Sequence, residues 1–155
     1  VEEINITSDI NVVKGDKQKH IDFIKQQASM LVPNVTWYYE NFLQLFDQET
    51  HLTLVLEKKE KPIAFCSFIL SNPVADVDLT ATKAEFQNQG YASLIFKTAI
   101  YELKEKQFES IILEVAENNL PAQNFYKKLG FTKQVRVLQN YYNDGDNALI
   151  YMLKL

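Results

Sequence analysis

The sequence predicts an α/β (α+β) domain: one mixed, mostly antiparallel sheet of about seven strands, with helices on both faces. Three observations predict it. Between Leu52 and Thr82 lie three strand-like runs parted by short turns, the pattern of an antiparallel meander. From Gly90 to Gln107 the apolar period changes to that of a helix. The compact apolar run Ser110 to Val115 follows directly. That strand–helix–strand step sets Val74–Thr82 and Ser110–Val115 parallel in one sheet.

Each element has its own signal. Ile10 to Lys14 reads as a short strand, and Val1 to Asp9 as either a ragged extension of it or a tail. Gly15-Asp16 precede a helix whose stripe is Ile21, Ile24, Ala28 and Leu31, closed by Pro33. Trp37, Phe42, Leu45 and Phe46 mark a second helix. Leu52 to Glu57 and Ile63 to Leu70 are strands about a charged turn, Lys58 to Lys61, which reads as a solvated turn. Asn72-Pro73 turns the chain into Val74 to Thr82. Tyr91, Leu94, Ile95, Ala99 and Leu103 form the stripe of the long middle helix. Pro121 to Leu129 is a helix with Gly130 as its stop. Phe131 to Leu138 and Ala148 to Leu155 are strands joined across a turn containing Asp144-Gly145.

Composition narrows the function classes. The chain has 155 residues, the size of one domain, and residues 1–155 are expected to form it. Apolar residues make up 46% and charged residues 23%, which excludes disorder as the overall state. The net charge is -4, without the basic excess of a protein that lives on nucleic acid or an anionic membrane. Cys66 is the one cysteine, so no intrachain disulfide forms and a reducing compartment is favoured. No apolar run is long enough to span a bilayer, and the first residues lack a charged-then-apolar leader. A cytoplasmic protein is expected, as a monomer or homodimer. His20 and His51 lie far apart in different elements with no Cys or clustered carboxylate partner, so no metal is expected.

The segment Gln87-Asn88-Gln89-Gly90-Tyr91-Ala92 lies between a strand and a helix. Gly90 permits positive φ, and the open amides of a helix start suit an anion such as a pyrophosphate. By itself the hexapeptide also reads as a plain loop; it has neither a Walker loop nor a three-glycine fingerprint. Glu114 sits among Ile111, Ile112, Leu113 and Val115, and such a carboxylate can also simply face water at the sheet end. Downstream runs Asn119-x-x-Ala122-x-x-x-Tyr126-x-x-x-Gly130-Phe131, whose aromatics taken alone read as core.

Together, in this order, these segments resemble the GNAT acetyltransferase superfamily. Gln87-x-x-Gly90-x-Ala92 is similar to its acetyl-coenzyme A motif, and Asn119 to Phe131 to its second motif. Within the superfamily the chain looks most like bacterial ribosomal-protein-alanine N-acetyltransferases. Leu113-Glu114-Val115, Asn140-Tyr141-Tyr142 and Asp144-Gly145 followed by Ala148 to Met152 carry that likeness, with an echo at Trp37 and Phe42. The strong resemblance covers Thr80 to Leu155. It departs at Asn88, where relatives often carry Arg, and at Thr80-Ala81-Thr82-Lys83-Ala84, which replaces an aliphatic run followed by Asp-Pro.

The resemblance implies an N-acetyltransferase that uses acetyl-CoA, with no metal. It implies that the sheet splays at its parallel pair, and that the pantetheine arm lies there against the backbone of Thr80, Ala81 and Thr82. It gives the pyrophosphate to the amides of Asn88, Gln89, Gly90, Tyr91, Ala92 and Ser93, and a pantetheine contact to Asn119. It makes Glu114 the general base, Tyr126 the general acid, and Trp37, Tyr141 and Tyr142 the acceptor side; the two tyrosines read equally as hairpin strand residues. The implied acceptor is a protein N-terminus, with a small amine of polyamine or aminoglycoside type as the alternative. A different alternative is a non-catalytic acetyl-CoA-binding module. Cys66, in a meander strand away from this constellation, reads as a core thiol.

Overall fold

The computed structural model describes residues 9–31 and 39–155. Its elements are β1 (Ile10–Lys14), α1 (Lys17–Leu31), α2 (Tyr39–Gln44), β2 (His51–Lys58), β3 (Lys61–Ser71) and β4 (Val74–Thr82), then a single 3-10 turn at Ala84–Phe86. They continue as α3 (Tyr91–Glu105), β5 (Ser110–Ala116), α4 (Leu120–Lys128), β6 (Lys133–Leu138) and β7 (Ala148–Lys154). Pro33, Trp37 and residues 1–8 lie outside the described residues.

The strands form one seven-stranded sheet in the order β1-β2-β3-β4-β5-β7-β6. Every neighbouring pair is antiparallel except β4 with β5, as the strand–helix–strand step predicts. That parallel ladder is short. It pairs Val74, Ala75 and Asp76 with Ser110, Ile111 and Ile112, and then stops. β4 runs on to Thr82 against β3 alone, and β5 to Ala116 against β7 alone. The two strands therefore part, and a gap opens in the middle of the sheet.

Side-chain alternation assigns the two faces. Leu54, Leu56, Cys66, Phe68, Ile111, Leu113 and Tyr151 are buried with Ile95, Phe96, Ala99 and Leu103 of α3. Val55 and Phe65, between them, are buried on the other face with Ile21, Ile24, Ala28, Phe42 and Leu45. Burying a side chain the size of Ile24 contributes roughly 1.5–3 kcal/mol, against tenths of a kcal/mol for helix propensity, so burial decides where α1 docks. Asp16 starts that helix, its Oδ1 accepting from the Lys19 N–H at 3.0 Å. α4 ends on Gly130 at φ 108, where Phe131 N–H donates to the Tyr126 carbonyl and Gly130 N–H to that of Lys127. This is the paired C-terminal closure that a glycine stop predicts.

Some expectations change. Leu31, expected on the buried stripe, is 49% exposed. α2 ends before Leu45 and Phe46, which occupy the following turn, although Leu45 is still buried. Phe131 is buried but precedes β6. Lys58, expected in a solvated turn, ends β2 and donates from Nζ to the Tyr91 hydroxyl at 3.2 Å. Each histidine has a single carboxylate partner that the linear sequence hides, and neither is a cluster. His20 Nδ1 accepts from the Asp16 N–H, so its Nε2 donates to Glu57 Oε2, 2.9 Å away, and His51 Nε2 lies 3.8 Å from Asp78 Oδ2. Among the described residues no group of His, Cys, Asp and Glu could hold a metal ion.

Candidate active site

The gap between β4 and β5 organises the site. Leu113 and Val115 are buried on the α3 and α4 face, so Glu114, between them, points to the opposite face and is exposed there. Tyr126 lies on the other side. Its ring packs edge-on against Phe96, Phe125 and Phe131, with centroids 5.8, 5.3 and 5.9 Å away. A carboxylate and a phenol thus approach the sheet from opposite faces, beside strands that no longer pair. Burial, with a smaller contribution from Cys66, pushes the Tyr126 hydroxyl up to about 12, so it keeps its proton at neutral pH.

On the β4 side, Thr80, Ala81 and Thr82 pair with Cys66, Phe65 and Ala64 of β3, and Thr80 Oγ1 donates to the Phe65 carbonyl at 3.1 Å. Nothing pairs with their β5-facing edge among the described residues. A bulge between Ser67 and Phe68 leaves Asp78 as the extra residue of β4. The segment that follows β4 ends in a helix start with open amides. Asn88 has φ 60 and Gly90 φ 88, and no side chain caps α3. Outside the helix, no carbonyl among the described residues accepts from the amides of residues 88–93. The Gln87 and Gln89 side chains fold back onto the carbonyls of Thr82 and Glu85. Tyr91 contributes its backbone to this turn while its ring is buried. Asn119 caps α4, its Oδ1 accepting from the Ala122 N–H at 3.2 Å.

The Glu114 face carries more than the sequence suggested. Tyr141 and Tyr142 stand in the loop between β6 and β7 rather than in a strand, their rings edge-to-face with centroids 5.1 Å apart. The negative charge of Glu114 beside it raises the Tyr141 phenol above its ordinary range. Desolvation raises Tyr142, and Glu114 adds to it. Asp76 and Asp78 of β4, not singled out by any motif, also carry raised carboxyl groups. Burial, then Glu114, holds the Asp76 carboxyl high. Burial also raises Asp78, against the lowering effect of His51. The alternation Ala75-Asp76-Val77-Asp78 was the available signal, since Ala75 and Val77 pack on the α3 face. Cys66 is not away from the constellation, as chain position implied. It pairs with Thr80 and lies close enough to Tyr126 to affect it, but it is fully buried and burial pushes its thiol up. It packs as a core thiol. Trp37, expected on the acceptor side, lies outside the described residues.

A family model, acetyltransferase (GNAT) family, matches residues 23–131, more than half of the chain. The chain belongs to that family. It is accordingly an acyltransferase, and the motif resemblance and the fold class both agree with the match. The [ribosomal protein bS18]-alanine N-acetyltransferase of Haemophilus ducreyi is 32% identical over 136 residues, covering 84% of this chain and 89% of that protein. The crystal structure of the Escherichia coli ribosomal-protein-S18-alanine N-acetyltransferase shares the fold, with a TM-score of 0.79 and 23% identity over 94% of this chain and 93% of that one. A GNAT acetyltransferase from Elizabethkingia anophelis, solved with acetyl-CoA bound, does so with a TM-score of 0.78 and 14% identity, covering 96% and 100%. No described helix is long and apolar enough to cross a membrane.

Proposed function

We propose that this GNAT enzyme, residues 1–155 as one domain, moves the acetyl group of acetyl-CoA directly to a primary amine, by preference the α-amine of a protein N-terminus. The observation that carries this reading is the parted β4–β5 pair with Glu114 on one face and Tyr126 on the other. Donor and acceptor can meet through the sheet at that point without sharing a pocket.

The chain's residues suit both ends of the donor. The unpaired edge of Thr80, Ala81 and Thr82 offers backbone groups to the amides of a pantetheine arm, as an added strand would. One N–H there can polarise the thioester carbonyl. The open amides of Asn88 to Ser93, at the positive end of α3, suit the pyrophosphate, and Asn119 flanks the arm. The bound donor supplies the activated acetyl group. In the transfer the amine nitrogen bonds to the acetyl carbon and the carbon–sulfur bond breaks. Glu114 takes the ammonium proton through a water before attack; the Tyr126 hydroxyl then donates its proton to the departing thiolate and is reprotonated, through water, by the second proton that the acylated nitrogen sheds. Tyr141 and Tyr142 line the acceptor side. The carboxyl groups of Asp76, Asp78 and Glu114 draw a cationic acceptor to that face.

Gly90→Val tests the donor site. A β-branched residue at φ 88 strains the turn by about 1–3 kcal/mol. Calorimetric titration should show acetyl-CoA binding weakened about tenfold or more in a folded variant. Unchanged affinity would move the phosphate site elsewhere.

The acceptor is tested by release of free thiol, at saturating acetyl-CoA, with a synthetic peptide beginning in alanine, a polyamine and an aminoglycoside. The name of the Haemophilus ducreyi relative supports the peptide. The peptide is expected to give the highest kcat/KM. A higher value for either small amine would overturn the N-terminal preference. Coenzyme binding without turnover of any acceptor would overturn the catalytic reading.

A further inference from the structure

The connection between β6 and β7 runs from residue 139 to 147, long for a hairpin, and a loop of that length is ordered only where something ties it. Here the ties are specific. Asp144 Oδ1 accepts from the Asp146 N–H at 2.9 Å, and Gly145 N–H donates to the Tyr142 carbonyl, folding the tip. The Asp146 carbonyl accepts from the N–H groups of both Tyr141 and Tyr142, each at 3.1 Å. The Asp146 side chain reaches out of the loop: its Oδ2 accepts from the Asn118 N–H at 3.1 Å. Asn147 is double-ended. Its Oδ1 accepts from the Asn140 N–H at 2.9 Å, and its Nδ2 donates to Glu117 Oε2 at 2.7 Å.

Glu117 and Asn118 belong to the turn between β5 and α4. That turn follows the strand that carries Glu114 and precedes Asn119, the cap of the helix that carries Tyr126. The tyrosine loop is thus strapped to the segment that joins the proposed base to the proposed acid.

We infer that Asp146 and Asn147 are positioning residues for the acceptor side: through Glu117 and Asn118 they hold Tyr141 and Tyr142 over Glu114. The inference rests on the reading that this tyrosine pair lines the acceptor groove. Neither residue needs to touch the acceptor. Without the strap, binding an acceptor must also order the loop, and affinity falls by the fraction of time the loop is in place.

The test is steady-state kinetics on the full chain, with the alanine-initiated peptide and acetyl-CoA each varied. Asn147→Ala removes both side-chain ends of the clamp and leaves only the backbone bond from the Glu117 N–H to the residue 147 carbonyl. It should lower peptide kcat/KM about five- to tenfold, while the KM for acetyl-CoA stays within about twofold of the parent. Glu117→Ala should shift peptide kcat/KM in the same direction by less. Glu117→Gln can still accept from Asn147 and should restore the parent value. The double variant Glu117→Ala with Asn147→Ala should be no worse than Asn147→Ala alone, because both act on one bond. Glu117 is exposed, so its variants carry the test even if Asn147→Ala fails to fold. Tyr141→Ala separates the two readings. If it leaves peptide kcat/KM unchanged, the groove reading fails. If it lowers kcat/KM while folded Asn147→Ala and Glu117→Ala match the parent, the strap inference falls by itself. Parallel loss in acetyl-CoA KM would also overturn it, because general damage to the fold would then be the cause.

Discussion

Replacing Tyr126 with Phe is expected to leave the protein folded and able to bind acetyl-CoA, while turnover falls by about tenfold to ten-thousandfold. The ring packing against Phe96, Phe125 and Phe131 survives the change. Among the described residues no protein hydrogen bond holds the hydroxyl, so removing it breaks none and stability should move by less than about 1 kcal/mol. What is lost is a proton donor beside the leaving sulfur. Burial raises this phenol to about 12, so it stays protonated below that pH. Its own ionisation therefore takes no rate away across the working range, and any basic limb seen at lower pH must persist in the variant. Initial rates at saturating acetyl-CoA, with calorimetry for binding, make the check. Parent turnover in a folded Tyr126→Phe protein would demote Tyr126 to a packing residue.

Most of the fold was legible because its signals are local. β1 and β4 have the limits their apolar runs predict, and Gly130 stops α4 with the bonds a C-terminal glycine implies. The parallel step followed from the change of period at Gly90. Long-range partners were the illegible part. Nothing near His20 in the chain points to Glu57, thirty-seven residues on, nor anything near His51 to Asp78. The bulge at Asp78 arises from the pairing of two strands and leaves no trace in either alone. Leu31 sits on the predicted stripe but at the last turn of α1, where periodicity does not ensure a neighbour to pack on. Glu114 and Tyr126 were singled out through motif spacing, and they stand on opposite faces of the sheet beside the parted strands. Asp76 and Asp78 were overlooked because an alternating acidic strand reads as ordinary solvent exposure, until the Glu114 face is found on the same side. Tyr141 and Tyr142 read equally as strand residues; the loop that lifts them from the ladder is held by Asp146 and Asn147, through partners in a distant turn.

In the proposed transfer Glu114 takes the proton from the attacking amine. Glu114→Gln keeps the shape of the side chain and its capacity to accept a hydrogen bond, but a neutral amide cannot accept that proton. Acetyl-CoA binding should persist, because Glu114 lies on the face of the sheet opposite α3, whose start carries the open amides. Initial rate should be measured against pH for parent and variant, with one alanine-initiated peptide at saturating acetyl-CoA. Transfer at neutral pH should fall steeply, by about a hundredfold to ten-thousandfold. Raising the pH toward the α-amine range, about 8, should recover part of the rate, because solvent then deprotonates more of the acceptor before it binds. A narrowing gap between the two profiles as pH rises is the predicted result. Overlapping profiles at every pH would contradict the account and leave the proton to water or another side chain.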